Sequence, residues 1–450
     1  SDEPLSSEMK LGKAFVVTDV LPEWGAVALS SLGPKDPPYN KLEELDEARE
    51  NMRWCAGAGV RALRQRGAMR VTVDAPAPLA DAAAEGAELA AWRFDELRTA
   101  TPRPPTSLAP LSAEAARGWD EGALVARGQN WARRLCDMPA NRMLPTDVAR
   151  AAMEALCPLG VDVRVHDHQW AAARGMRALA AVARGSCHPP LVLECSYDGP
   201  DAEAAPVLIV AKGITFDSGG ICLKRPEDML ENRGSMAGAA VALAALKILA
   251  ELKARVRVRC LIPLCENMIS GQCMRVGDVL QALNGLSVQV EDTDLEGRLV
   301  MADALVYGQT AHRPALVVDV ATLTRGVALA TGGGACGCFT NCEELWEAVR
   351  AAGAHTGDRA WRFPLWRYYD AQLTDDAAVD LRNKGSGTAS PCLGAAFLRH
   401  FVCGDWLHLD VAGVARLAHQ DDAPPYLRAQ RMAARPTRTL AHVLRHLAPA

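Results

Sequence analysis

Beyond residue 190 one alternation governs the chain. Short apolar runs, "PLVLECSYD", "PVLIVAKGITF", "RVRVRCLIPLCEN", "ALVVDVATL" and "WLHLDVAGV", are separated from one another by helical stretches. Strands that are apolar on both faces need cover on both faces, and strands joined through helices tend to run parallel. The alternation therefore predicts an α/β fold with a mostly parallel central sheet flanked by helices. At 450 residues the chain is too long for one ordinary core, so a second domain is expected. The first hundred residues mix short runs ("KAFVVTDVL", "AMRVTVDA") with Ala-rich helical stretches, which suggests a small N-terminal α/β domain. In "TATPRPPTSLAPLS" Pro and Ser interrupt any periodic structure, placing a boundary near residue 110. The stretch "SAEAARGWDEGALVARGQNWARRLCDM" then reads as a long amphipathic linker helix. The expected division is 1–110, a linker helix over 111–137, and a catalytic-type domain over 138–450.

Lys plus Arg number 49 against 54 Asp plus Glu, a net charge of -5, and no basic stripe appears, so neither nucleic acid nor an anionic membrane is an expected partner. Charges and Pro break the apolar stretches short of the roughly 20 residues of a bilayer span. A soluble protein is expected. Fourteen Cys without a CxxC pair suggest reduced thiols and an intracellular location, with Cys336, Cys338 and Cys342 packing in the core. The absence of HExxH excludes a zincin-type site. The acidic start "SDEPLSSEMK" has neither a secretory core nor an Arg-rich helix, so the cytoplasm is expected, or the mitochondrion if a presequence has been removed.

Chemistry concentrates in two segments. In "PVLIVAKGITFDSGG" Lys212 interrupts a strand and Asp217 ends it, at the carboxyl edge where α/β sheets place ligand sites. A satisfied salt bridge would look the same. In "EDTDLEGRLVMADAL" Asp294 and Glu296 stand two apart before a helix, so both carboxylates face one side. Paired carboxylates repel unless a cation lies between them, commonly a divalent metal. A solvated acidic turn is the alternative. Gly297 permits close backbone approach, and Arg298 supplies a cation.

Together, "AKGITFDSGGICLK" and "EDTDLEGRLVMADAL" closely resemble the leucyl aminopeptidase (cytosol aminopeptidase) family of two-metal exopeptidases. "LCDMPANRMLPTD", "VARGSCHPPLVLECSYDG", "LIPLCENMISG", "DVATLT", "HLDVAGV" and "RPTRTL" follow in family order, from about residue 125 onward. The resemblance implies metal-ligand roles for Lys212, Asp217, Asp294 and Glu296. It implies that Lys224 polarises the scissile carbonyl and that Arg298 holds a bicarbonate serving as general base. It also implies two Zn or Mn ions, peptide substrates, and a homohexamer built as a dimer of trimers.

The chain departs from that pattern at several positions. Ser235, in "RGSMAGAA", stands where the family has a ligand Asp, and a hydroxyl is a far poorer ligand for a divalent cation. Among positions lining the pocket for the substrate's first side chain (Asn232, Thr322, Arg325, Ala412, Ala415), Arg325 replaces Gly, and Asn232 and Ala415 replace Met. An inward Arg325 would fill much of that space or select an acidic residue. Without an acid at 235, three carboxylates (Asp217, Asp294, Glu296) face three cations (Lys212, Lys224, Arg298), so the site can close as a salt-bridge network holding no metal or one. Asp292, where the family has Asn, is expected to pair with one of these cations. The reading is a degenerate member with impaired or lost activity, kept as a structural hexamer, like the leucyl aminopeptidase-like proteins of insect sperm. An active enzyme with altered metal stoichiometry and specificity is the alternative.

Overall fold

The computed structural model describes residues 9–35, 37–100, 104–385, 388–417 and 423–447. Most of the acidic start, residues 1–8, and residues 101–103 of the Pro-rich boundary lie outside them.

In the N-terminal unit β1 (Ala14–Leu21) and β2 (Trp24–Ser30) form an antiparallel pair, and β3 (Arg70–Val73) and β4 (Ser107–Pro110) pair in parallel. Helices α1 (Glu47–Gln65) and α2 (Ala80–Ala91) pack on each other. After the Pro-rich stretch, the Ser112 hydroxyl accepts the Ala115 N–H at 3.3 Å and closes the turn that starts α3 (Ala116–Asp137). One flank of α3 meets α2 and another meets α4 (Ala237–Glu251), so this helix bridges the two units.

The second unit is organised by a nine-stranded sheet. Its strands are β5 (Asp162–His166), β6 (Leu191–Asp198), β7 (Val207–Ala211), β8 (Gly213–Asp217), β9 (Arg257–Asn267), β10 (Leu316–Ala321), β11 (Cys336–Thr340), β12 (Ala360–Arg362) and β13 (Asp405–Asp410). They lie in the order β12-β11-β13-β10-β7-β9-β6-β5, with β8 beside the end of β9. The central run β13-β10-β7-β9 is parallel, as is β8 on β9. Antiparallel pairings join β11 to β13, β6 to β9 and β5 to β6. Every residue of β7 and β10 is buried, which is why those runs are continuously apolar and do not alternate. The expected two-domain α/β architecture is the one observed.

One helical stretch, Pro226–Glu251, is long and apolar enough by length and composition to cross a bilayer, although Lys247 breaks its apolar run. Of its most apolar window 89% is buried inside the fold, because α4 is a core helix between the sheet and α3. Cys336 and Cys338 are buried on β11, as packing residues should be.

A buried ion network fastens the two units. Glu85 of α2 meets Arg53 of α1 at 2.6 Å and Arg438 of α5 (Thr437–His446) at 2.8 Å; Asp358 meets Arg438 at 3.1 Å and Arg435 at 2.6 Å. His355 and His442 lie beside it, their rings tilted by 34° with centroids 4.6 Å apart.

Candidate metal centre

Lys212 occupies the break between β7 and β8. Its N–H donates to the Val320 carbonyl of β10 and its carbonyl accepts from Ala239 N–H, each at 3.0 Å, so the chain leaves the β10 ladder here and continues along β9 alone. The break turns a lysine inward at the carboxyl end of the sheet. Its ammonium meets Glu296 Oε1 at 2.7 Å and donates to the Thr322 carbonyl at 3.0 Å. Glu296 opens the helix Glu296–His312, where the N-terminal dipole favours an acid. Glycine at position 297 lets the lysine stem pack against the helix: a Cβ there would lie 2.8 Å from both Cδ and Cε of Lys212.

Asp217 ends β8. In the following "SGG" turn Gly219 has φ +86°, a left-handed conformation that costs glycine little, and its N–H donates to Asp217 Oδ1 at 2.9 Å. Asn267 Nδ2 donates to the same oxygen, also at 2.9 Å. The turn brings Lys224 back over the site, with its ammonium 3.0 Å from Asp217 Oδ2 and donating to Asp294 Oδ1. Ligand oxygens of Asp217, Asp294 and Glu296 all lie within 4.8 Å of one another.

Crowding of the carboxylates shows in their protonation. Burial, then the Asp217 charge, push Asp294 up to about 7, and the same two causes raise Glu296. Burial works against the Lys224 charge, yet Asp217, Glu296 and Asp294 outweigh it and hold its pKa above the ordinary lysine value.

Asn383, which sequence reading missed, sets the acidic loop. Its Oδ1 accepts from the N–H groups of Glu291 (2.8 Å) and Asp292 (3.2 Å), and its Nδ2 donates to the Asp292 carbonyl at 2.8 Å. Its own carbonyl accepts from Arg298 Nη1 at 2.6 Å. An Asn in "LRNKG" carries no pattern that would have flagged it. Asp410, also missed, accepts from Leu323 N–H, Thr324 Oγ1 and Ala412 N–H, and so fixes the loop after β10 that presents the Thr322 carbonyl to Lys212.

Four expectations need correction. Arg298 is fully buried and makes no ion pair with the cluster: it donates to Asn383, its Nε has no partner, and burial lowers it to about 10. Two lysines therefore engage the three carboxylates directly, leaving one negative charge that Arg298 meets only at longer range. Asp292 pairs with Lys384 at 3.1 Å, outside the cluster, because its loop turns it to the surface. Arg325 does not fill a buried pocket; its side chain is 70% exposed and its Nη1 lies 3.5 Å from Asp228 Oδ2. It opens a short helix, Arg325–Thr331, at the rim, which carries the side chain outward. Asn232 likewise donates to the Asp228 carbonyl at 2.7 Å, and Ala415 is buried in the core; the Thr322 carbonyl meets the Lys212 ammonium, and half-buried Ala412 donates its N–H to Asp410.

Ser235 is buried, and its carbonyl accepts Thr322 Oγ1 at 2.8 Å, beside the carbonyl that takes the Lys212 ammonium. A hydroxyl stands there with no carboxylate. Asp217, Asp294 and Glu296 offer a donor set that fits a divalent cation. Bound there, such an ion would supply Lewis-acid polarisation of a carbonyl and an acidified water.

Comparison with known proteins places this geometry among peptidases. Residues 130–441 match the cytosol aminopeptidase family catalytic domain, and residues 10–101 its N-terminal domain. The cytosol aminopeptidase of Xenopus tropicalis is 40% identical over 438 residues, covering 96% of this chain and 83% of that protein. The Homo sapiens cytosol aminopeptidase is also 40% identical, over 97% of this chain and 84% of its own length. Among solved structures, the bottromycin maturation enzyme BotP in complex with Mn superposes with a TM-score of 0.88 at 33% identity, covering 98% of this chain and 94% of that one.

Proposed function

The chain belongs to the cytosol aminopeptidase family, a family of metal-dependent aminopeptidases, and on that footing we propose that it is a member whose hydrolytic activity is impaired or lost and whose hexameric assembly is its retained role. One observation carries the reading: Lys212 and Lys224 already engage all three carboxylates, while position 235 offers a hydroxyl where a second cation would need an acid. A second cation there would meet one carboxylate fewer. The homohexamer, arranged as a dimer of trimers, rests on the family's architecture, and location in the cytoplasm or mitochondrion belongs to the same reading. Bicarbonate at Arg298 is compatible with the unpartnered Nε of that buried guanidinium.

A second reading is supported by the convergence of Asp217, Asp294 and Glu296. With one ion bound, the chain would remove N-terminal residues from peptides slowly, and Arg325 at the rim would favour an acidic first residue. Turnover of leucyl, methionyl and glutamyl substrates with added Mn or Zn separates the two. Impairment predicts little or no release from any of them, with recovery in Ser235→Asp; rates typical of an aminopeptidase in the unaltered chain would refute it. Mass measurement in solution tests the hexamer.

A further inference from the structure

A second concentration of charge lies away from the carboxylate cluster, at the seam between the two units. Arg61 projects from α1 and donates through Nη2 to the Leu427 carbonyl at 2.5 Å. Arg133 of α3 donates to the Met432 carbonyl at 3.3 Å and the Leu89 carbonyl at 3.0 Å, and lies over the Trp92 ring at 4.2 Å. These contacts draw together α1, the segment after α2, α3 and the loop 426–432. With them come Arg93, Arg428 and Arg431.

None of these five arginines forms an ion pair among the described residues. Arg133 is fully buried and its Nη2 has no partner. Among the described residues, the acids that face them are Asp95, near Arg428, and buried Asp137, near Arg133 and Arg431. Glu88 and Glu96 are already taken by Arg127 and Arg134. Among the described residues, five guanidiniums face two carboxylates, one of which, Asp137, also lies 3.7 Å from Arg233, and this leaves a marked local excess of positive charge in a protein whose net charge is -5. Burial, then the Arg428 charge, lowers Arg61, and burial, then the Arg93 and Arg431 charges, lowers Arg428. Arg133 falls to about 9 through burial, with Arg428 and Arg61 adding to it against Asp137. Arg61, Arg93 and Arg428 are half-buried and Arg431 is exposed, so the seam is open to solvent.

We propose that this seam is a binding site for a multivalent oxyanion of the phosphate class, held by Arg61, Arg93, Arg428 and Arg431 above the buried Arg133. Planar guanidinium forks match phosphate oxygens, and more than one negative charge is needed to offset the excess. The site is independent of the carboxylate cluster and of whether that cluster turns over peptides.

Calorimetric titration and thermal melting of the full chain with sodium pyrophosphate, against NaCl at equal ionic strength, test it. Expected are saturable binding and a Tm raised by about 3 °C at saturation. Arg428→Gln and Arg431→Gln should each weaken binding about tenfold. Each should also raise the Tm of the ligand-free protein by relieving repulsion, while Arg117→Gln, at an exposed site elsewhere, changes neither. ATP binding as well as pyrophosphate would identify a nucleotide's phosphates as sufficient; pyrophosphate alone would identify the free ion. The proposal is overturned if NaCl gives the same shift, if citrate binds equally well, or if Arg428→Gln and Arg431→Gln bind pyrophosphate as the unaltered chain does.

Discussion

The Lys212 ammonium lies 2.7 Å from the Glu296 carboxylate, and the next residue along the helix, Gly297, is the surface against which the lysine stem rests. Position and partner are set by the same helix turn. The pair is buried at both ends, so removing either member would strand a charge in the interior.

Gly297→Ala tests that packing. The added methyl would meet the lysine at 2.8 Å, and the aliphatic stem has buried surroundings in which to shift. Loss of about 1–3 kcal/mol is expected in denaturant unfolding, together with weaker binding of any ion at the cluster.

Asn383→Ala should cost about 3 kcal/mol, because the partly buried N–H groups of Glu291 and Asp292 and the Asp292 carbonyl all lose their partner. Amide exchange should then quicken at residues 291–294. Unchanged protection in that loop would mean that Asn383 does not set it.

Among the described residues, Arg325 has one acidic partner, Asp228, which it shares with Arg225 at 2.9 Å. If peptides are bound, a glutamyl peptide should bind about tenfold more tightly than its leucyl counterpart. Arg325→Gly should abolish the difference, as read by calorimetry without any need for turnover.

Acid should loosen the seam between the units in two stages. Burial pushes His355 down to about 4 and His442 to about 3, so each stabilises the fold as a neutral ring. That contribution is complete above the ordinary histidine value and is lost as pH falls from about 6.5 toward 4. Burial raises Glu85, and Arg53 and Arg438 overcome it to hold the carboxyl at about 2, so its contribution is present above about 4.5 and lost below. Thermal melting between pH 8 and pH 4 should show a falling Tm below about pH 6.5, with a shallower slope in His442→Gln.

Much of this was legible in the sequence. The continuous apolar runs of β7 and β10 announce strands covered on both faces, and the helices between them follow. Lys212, Asp217, Lys224, Asp294 and Glu296 were named from two short segments, and the structure brings their charged groups together. Side-chain direction at the rim was not legible. Whether Arg325 points inward, and which cation Asp292 meets, depend on a helix start and a loop clamped by Asn383, which carry Arg325 to the rim and Asp292 to Lys384. Arg298 was counted among the cluster's cations because spacing alone does not reveal that a main-chain carbonyl takes its guanidinium. The arginine seam was invisible for a different reason. Its five members come from four segments far apart in the chain, so no local run of positive charge exists to be read.

Mn titration of the metal-stripped chain, by calorimetry with elemental analysis of the product, is the most direct test. At most one equivalent per chain is expected, binding weakly, with a second equivalent and at least about tenfold tighter binding in Ser235→Asp. Two tightly held equivalents in the unaltered protein would contradict the account.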